Sequence, residues 1–249
     1  MSGAVAVIGG TGMNQWPGLE VVREHLASTP YGEPSGPIVY GRIHGVEVAF
    51  LARHGIGHKF PPHRINYRAN LWALKDDGIR TVIAIAAVGG IARTLPPAAV
   101  AVPKDLVDYT WGRDHTYSDG GQTPLRHADF SAPYTEVLRK ALLAGARKAR
   151  VKLVDGGVMG VTQGPRLESP AEIRRLKRDG CTMVGMTGMP EAALARELDL
   201  DYAALAVSVN WAAGLGSGDI HGEIERSLAQ GMKKVRAVLE KTLPALQST

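Results

Sequence analysis

Three short stretches carry residue types suited to holding an anion. Gly9-Gly10-Thr11-Gly12 directly follows an apolar run. Successive glycines let backbone N–H groups converge on a negative charge, and the Thr11 hydroxyl adds a donor. Arg53-His54-Gly55 ends a second apolar run, and arginine offers a planar, permanently charged fork that matches phosphate oxygens. Met186-Thr187 stands just ahead of a helical pattern. A threonine hydroxyl there suits an anion at a helix start, and Met186 suits the face of a flat ring or a sugar. Taken singly, these are also the marks of a tight turn, a surface turn and a helix cap over a core methionine. The Gly-rich turn does not meet the G-x-G-x-x-G spacing of a dinucleotide site, because Asn14 and Gln15 follow it. His58 and His63 follow His54 in a Pro-rich loop. Nothing there keeps three imidazoles on one face, so no metal is expected.

Such residues need a framework to bring them together, and the pattern around them alternates strand with helix. Ala4–Ile8 reads as a buried strand, and Ile38–Ile43 with Val46–Leu51 as a hairpin turning at His44-Gly45. Thr81–Val88 is a continuous apolar run ending in Gly89-Gly90, as in a central strand covered on both faces. Val158–Thr162, a short stretch before Gly185, and Tyr202–Val209 complete the strands. Helices are expected over Asn66–Leu74, within Pro133–Lys152, from the capping box Ser169-Pro170-Ala171-Glu172, over Pro190–Leu198, and over Asp219–Leu246 with Asp219 as cap. There is no repeat, low-complexity tract or linker, so residues 1–249 are expected to form one domain. The fold class is α/β with a mixed, largely parallel sheet, in which ligands bind where strands end in Gly-rich turns.

Composition narrows the partners. The 249 residues suffice for one large α/β domain. No apolar run approaches the ~20 residues of a membrane span, and Met1-Ser2-Gly3 enters an apolar strand without a basic leader. The single cysteine, Cys181, excludes an intramolecular disulfide and a multi-cysteine zinc site, and suits a reducing cytoplasm. The net charge of +5 does not mark a nucleic-acid surface. Its densest basic run, Arg174-Arg175 to Lys177-Arg178, has Glu172 and Asp179 beside it and reads as a solvated helix face. A modest positive balance also suits an anionic co-substrate.

Taken in order, Gly9-Gly10-Thr11-Gly12, Arg53-His54-Gly55, Asn66-Tyr67-x-Ala69-Asn70-x-Trp72-Ala73-Leu74, Gly164-Pro165-Arg166, Ala171-Glu172 and Met186-Thr187-x-x-Pro190-Glu191 resemble the trimeric purine nucleoside phosphorylase and methylthioadenosine phosphorylase family. The likeness spans nearly the whole chain. It implies a twisted mixed sheet, partly barrel-like, wrapped by helices, and a homotrimer. Nothing in the chain demands a metal or an organic cofactor, and inorganic phosphate is the expected co-substrate. By the same likeness Thr11, Arg53, His54, Ala87 and Thr187 fall at phosphate and Met186 at the ribose. Ala86 stands where methylthioadenosine phosphorylases carry a threonine, so this chain lacks one hydroxyl.

The base is read from donors and acceptors. A 6-aminopurine presents an N–H donor and wants a carboxylate; a 6-oxopurine presents an acceptor and wants an amide N–H. Where methylthioadenosine phosphorylases carry Asp-x-Asp, this chain has Asn210-Trp211-Ala212. Glu168, next to Leu167, matches a glutamate that 6-oxopurine phosphorylases set against N1. Both changes favour hypoxanthine or guanine, with Asn210 and His54 as the residues expected to act in the reaction. The stretches around Asn70, Gly185–Leu198 and Asn210 resemble S-methyl-5′-thioinosine phosphorylases, which need an apolar 5′ pocket. His221 stands where an apolar 5′ contact is usual, however, which keeps a general inosine or guanosine phosphorylase open. A methylthioadenosine phosphorylase and a non-catalytic nucleoside-binding protein are further alternatives. His58, and His127 from a neighbouring subunit, match positions near this pocket.

Overall fold

The computed structural model describes residues 4–13, 16–120, 124–216 and 220–247, the side chains of 220 and 221 excepted. In chain order its elements are β1 (Val5–Gly9), β2 (Glu20–His25), β3 (Ile38–Ile43), β4 (Val46–Ala52), α1 (Tyr67–Asp76), β5 (Thr81–Gly90), β6 (Val100–Val102), β7 (Asp105–Asp108), α2 (Glu136–Lys148), β8 (Val154–Asp155), β9 (Val158–Val161), α3 (Pro170–Arg178), β10 (Met183–Gly185), α4 (Gly188–Glu197), β11 (Asp201–Trp211) and α5 (Ile220–Gln247). Single 3-10 turns at Ile56–His58 and Pro62–Arg64 lie between β4 and α1.

The sheet forks at β5. One path runs β2-β3-β4-β1-β5-β10-β9-β7, and a second arm leaves β5 through β11 to β6 and β8. Residues Thr81 to Ala84 of β5 pair with both β1 and β11 in parallel, while Gly89 and Gly90 pair with β11 and, antiparallel, with β10. The apolar run at β5 follows from this position. Val82, Ala84, Ala86 and Val88 enter one core with α1 and α4 residues such as Leu71 and Leu194. Ile83 and Ile85 enter the other with Leu142 of α2 and Leu239 of α5. Burying each large aliphatic contributes roughly 1.5–3 kcal/mol. A strand loaded on both faces therefore anchors the fold.

Every strand and helix expected from the sequence is present, with ends shifted by one or two residues, and the helix expected within Pro133–Lys152 is α2 at Glu136–Lys148. Four strands were not expected. β6, β7 and β8 are two to four residues long, too short for a periodic signal. β2 is an edge strand whose residues are almost all exposed, so no alternation of burial marked it. Asn66 caps α1 by accepting from the Ala69 N–H. The expected cap Asp219 lies outside the described residues. Among the described residues no helix is long and apolar enough to cross a membrane.

Candidate active site

Strands β1, β4, β5 and β11 run parallel, so their carboxyl ends meet at one edge of the sheet. A cavity of about 540 Å³ opens there, where ligands of open α/β sheets bind. The stretch after β1 supplies Gly10 and Thr11, the stretch after β4 supplies Arg53, His54 and His58, and β5 supplies Ala86, Ala87 and Gly89. The loop after β9 contributes Leu167 and Glu168, the start of α4 contributes Met186 and Thr187, and the end of β11 contributes Asn210 and Ala212.

Arg53 is the buried cation of the site, with only 1% of its surface exposed. Nε and Nη2 donate to the two Glu191 oxygens at 2.6 and 2.7 Å, and Nη1 donates to the Ile85 carbonyl at 2.8 Å. Two of its five N–H groups remain for a ligand. Burial alone would lower its pKa, but the Glu191 carboxylate outweighs this and raises it. Glu191 is itself fully buried and also accepts from the Tyr202 hydroxyl at 2.8 Å. Gly10 makes room for this arrangement: a Cβ there would stand 2.9 Å from Arg53 Nη1 and 2.5 Å from the Ile85 oxygen.

His54 has its tautomer set by the backbone. Nδ1 lies 2.8 Å from the Phe60 carbonyl, which only accepts, so the ring proton is on Nδ1 and Nε2 carries a lone pair. Burial lowers its pKa to about 4, the Phe60 bond opposes this, and Arg53 and His58 push the same way as burial. His54 is thus a neutral acceptor at neutral pH. The His58 ring stacks on it with centroids 4.0 Å apart.

Thr187 is buried at the N-cap position of α4, yet its side chain makes no capping bond. Its hydroxyl is therefore not taken by the helix it precedes. Gly164, at φ +58°, lets the loop fold onto Met186, where a Cβ would meet Sδ at 2.5 Å. The Glu168 carboxylate accepts from the Thr162 hydroxyl at 2.6 Å. Asn210 is buried, and its Nδ2 donates to the Trp211 carbonyl at 2.7 Å. The pairing of β11 with β5 slips between Ser208 and Asn210. This bulge lets neighbouring Val209 and Asn210 both line the cavity.

Some expected contacts fall elsewhere. Trp211 does not line the cavity; with regular alternation resumed after the bulge it points away, with its Cβ against Gly216. His127 is exposed in the stretch 124–130 and does not line the cavity of its own chain. The His221 side chain lies outside the described residues. Lys59, Pro61, Pro62 and Ile224 do line the cavity and carried no motif. Glu191 was visible as a motif residue but not as the partner of Arg53, which is 138 positions away. Among the described residues no group of three or more His, Cys, Asp or Glu side chains is placed to hold a metal.

Residues 4–244 match the family profile described as the phosphorylase superfamily. A protein of Pseudomonas syringae pv. tomato named Probable S-methyl-5′-thioinosine phosphorylase is 53% identical over 241 residues, covering 96% of this chain and 98% of its own. The S-methyl-5′-thioadenosine phosphorylase of Mycolicibacterium smegmatis is 46% identical over 244 residues, covering 95% and 90%. Among solved structures, methylthioadenosine phosphorylase from Schistosoma mansoni in complex with adenine has a TM-score of 0.92 at 28% identity, covering 100% of this chain and 93% of that one.

Proposed function

The chain belongs to the phosphorylase superfamily, and from that premise we propose that it splits S-methyl-5′-thioinosine with inorganic phosphate into hypoxanthine and 5-methylthioribose 1-phosphate. The observation that carries this is a single cavity holding both a cationic, hydroxyl-bearing group of residues (Thr11, Arg53, His54 and Thr187) and the Asn210 amide. With one Asn210 N–H held by the Trp211 carbonyl, the second donates to the 6-oxo group, and Oδ1 accepts a hydrogen bond from N7–H once the departing base takes up its proton there. Glu168 accepts from N1–H. A 6-aminopurine would face donor with donor and acceptor with acceptor, a mismatch of about 1–3 kcal/mol per buried group. Leu167, Met186 and Ile224 add apolar wall suited to a methylthio group. The relative named for methylthioinosine is also nearer in sequence than the one named for methylthioadenosine.

Phosphate enters as HPO₄²⁻, its anionic oxygens on Arg53, Thr11, Thr187 and the backbone at Ala87. Its one P–OH donates to the His54 lone pair. The C1′–N9 bond breaks first, its electron pair going to the purine, and the positive charge left on the sugar is stabilised by the phosphate beneath it. A phosphate oxygen then bonds C1′. The P–OH proton ends on hypoxanthine, so charge balances: a dianion and a neutral nucleoside give a dianionic sugar phosphate and a neutral base. Preorganised charge and orientation do the work, and no covalent enzyme intermediate forms. We place the enzyme in the cytoplasm, a view supported by its one buried cysteine, Cys181, and we propose a homotrimer.

Release of free base from methylthioinosine, inosine, guanosine and methylthioadenosine, each with and without phosphate, tests this. Phosphate-dependent hypoxanthine release fastest from methylthioinosine is expected. A lead by inosine or guanosine would transfer the 5′ contact to a hydroxyl partner such as His221. A lead by methylthioadenosine would overturn the role of Asn210, and no turnover would overturn the enzyme itself.

A further inference from the structure

Arg113 belongs to none of the motifs, yet it is only 8% exposed and sits behind the cavity wall. Each of its five N–H donors has an acceptor, and none of those acceptors is a carboxylate. Nε donates to Gln163 Oε1 at 3.1 Å, and Nη1 donates to the Met186 and Met189 carbonyls at 2.9 and 2.5 Å. Nη2 donates to the Gln163 and Thr162 carbonyls at 2.8 and 3.3 Å. The Tyr67 hydroxyl lies 3.4 Å from Nη1 and itself donates to the Pro62 carbonyl at 2.9 Å.

These partners belong to three walls of the cavity. Met186 and Thr187 form one, Leu167 and Glu168 follow Gln163 in the second, and Pro62 belongs to the third. The 186–189 turn needs such support. Met189 departs from helical geometry, at φ −120° and ψ 139°, so a regular helical ladder does not hold it. Burial lowers the pKa of Arg113 while Tyr67 and Asp108 oppose this, and an arginine keeps its charge at neutral pH throughout. A buried guanidinium without a bonded carboxylate is unfavourable unless dipoles or an anion compensate it. Here four carbonyls do so, two of them on either side of Thr187.

We propose that Arg113 is a positioning residue that grips the carbonyls flanking Thr187, and so fixes where the Thr187 hydroxyl and the Met186 side chain stand. The substrate it acts on rests on the phosphorolysis proposed above. A lysine cannot take its place, because a compact ammonium with three donors does not span four carbonyls set in a fork.

The test uses the full chain with Arg113→Met, Arg113→Lys and Gln163→Ala. Arg139→Met serves as comparison, since Arg139 is also a buried arginine bonded to backbone carbonyls, those of Val102 and Pro103, although it pairs with the Glu136 and Asp155 carboxylates as well, and it has no part in the cavity. Displacing Thr187 by a fraction of an ångström is expected to raise the KM for phosphate at least about 10-fold in both Arg113 variants, with a smaller fall in kcat. Arg139→Met is expected to lower Tm and leave the phosphate KM within about 2-fold. If Arg113→Met does not fold, Arg113→Lys and Gln163→Ala carry the test. Hydrogen exchange adds a readout free of activity: amides of the 186–189 turn should exchange faster in these variants while those of α5 do not. An unchanged phosphate KM with unchanged exchange in folded variants overturns the clamp. A wild-type chain without turnover overturns the phosphorolysis proposal instead, and the exchange comparison then still decides the clamp.

Discussion

At Asn210 a backbone carbonyl decides what the side chain has left to offer. The Trp211 oxygen holds one N–H at 2.7 Å, which orients the amide and leaves one donor and one acceptor for the base proposed to bind there. Replacing Asn210 by aspartate removes the donor and presents a carboxylate that a 6-amino group satisfies. The Asn210→Asp chain is therefore expected to lose roughly 10- to 100-fold in kcat/KM on methylthioinosine and to gain on methylthioadenosine, as follows from 1–3 kcal/mol for a buried mismatch. Parallel kinetics on the two nucleosides read this out, and an unchanged ratio would remove Asn210 from base selection. Thr11, Arg53, His54 and Thr187 were legible because glycines, a strand-end arginine and a pre-helix threonine are chemical signals in themselves. Arg113 was not legible: its partners are mostly carbonyls, which every residue has, so no side-chain pattern announces them.

Among the elements, α3 shows how a surface device steadies a cavity wall. Ser169 accepts from the Glu172 N–H at 3.2 Å and Glu172 reaches back to the Ser169 N–H at 2.7 Å, completing the capping box expected from the sequence. Arg166 grips the same Glu172 carboxylate through both Nη atoms at 2.9 and 2.7 Å. The pairing with Arg166, followed by the backbone bond at Ser169, draws the Glu172 pKa down to about 2. Leu167 and Glu168 lie between these anchors. Ser169→Ala is expected to destabilise the protein by ~1 kcal/mol, lowering Tm by about 2–4 °C for a domain of this size. Calorimetry or thermal melting measures this, and a Tm unchanged within error would show that Arg166 alone secures the helix start. Long strands and capped helices were readable from periodicity and cap chemistry. β2 and the short β6, β7 and β8 were not, since an exposed edge and runs of two to four residues carry no period.

The whole molecule is a fork of strands with its cavity where parallel carboxyl ends meet, and Leu167 and His58 are among the exposed residues of its lining. His127 is exposed and absent from the cavity of its own chain, which fits the proposal that it serves a neighbouring copy in a homotrimer. Light scattering on the purified protein is expected to give three times the chain mass. His127→Ala is expected to raise the nucleoside KM by about 10-fold, the scale of one lost polar contact, and to leave the phosphate KM unchanged. A fully active monomer would overturn both statements.

By itself, the sequence determined the α/β class, the two-faced central strand and the chemical kinds of residue available, because hydrophobic period, cap residues and glycine turns are local properties of the chain. It also placed the phosphate-binding and base-binding candidates through their ordered motifs. Tertiary structure alone decided which groups were free to act. Glu191 engages Arg53 across 138 positions, and the Phe60 carbonyl turns His54 into an acceptor. A slip in the pairing of β11 brings Asn210 into the cavity and leaves Trp211 out. Each outcome depends on a backbone atom or a distant partner whose position exists only once the chain has folded, so residue type and spacing do not encode it locally.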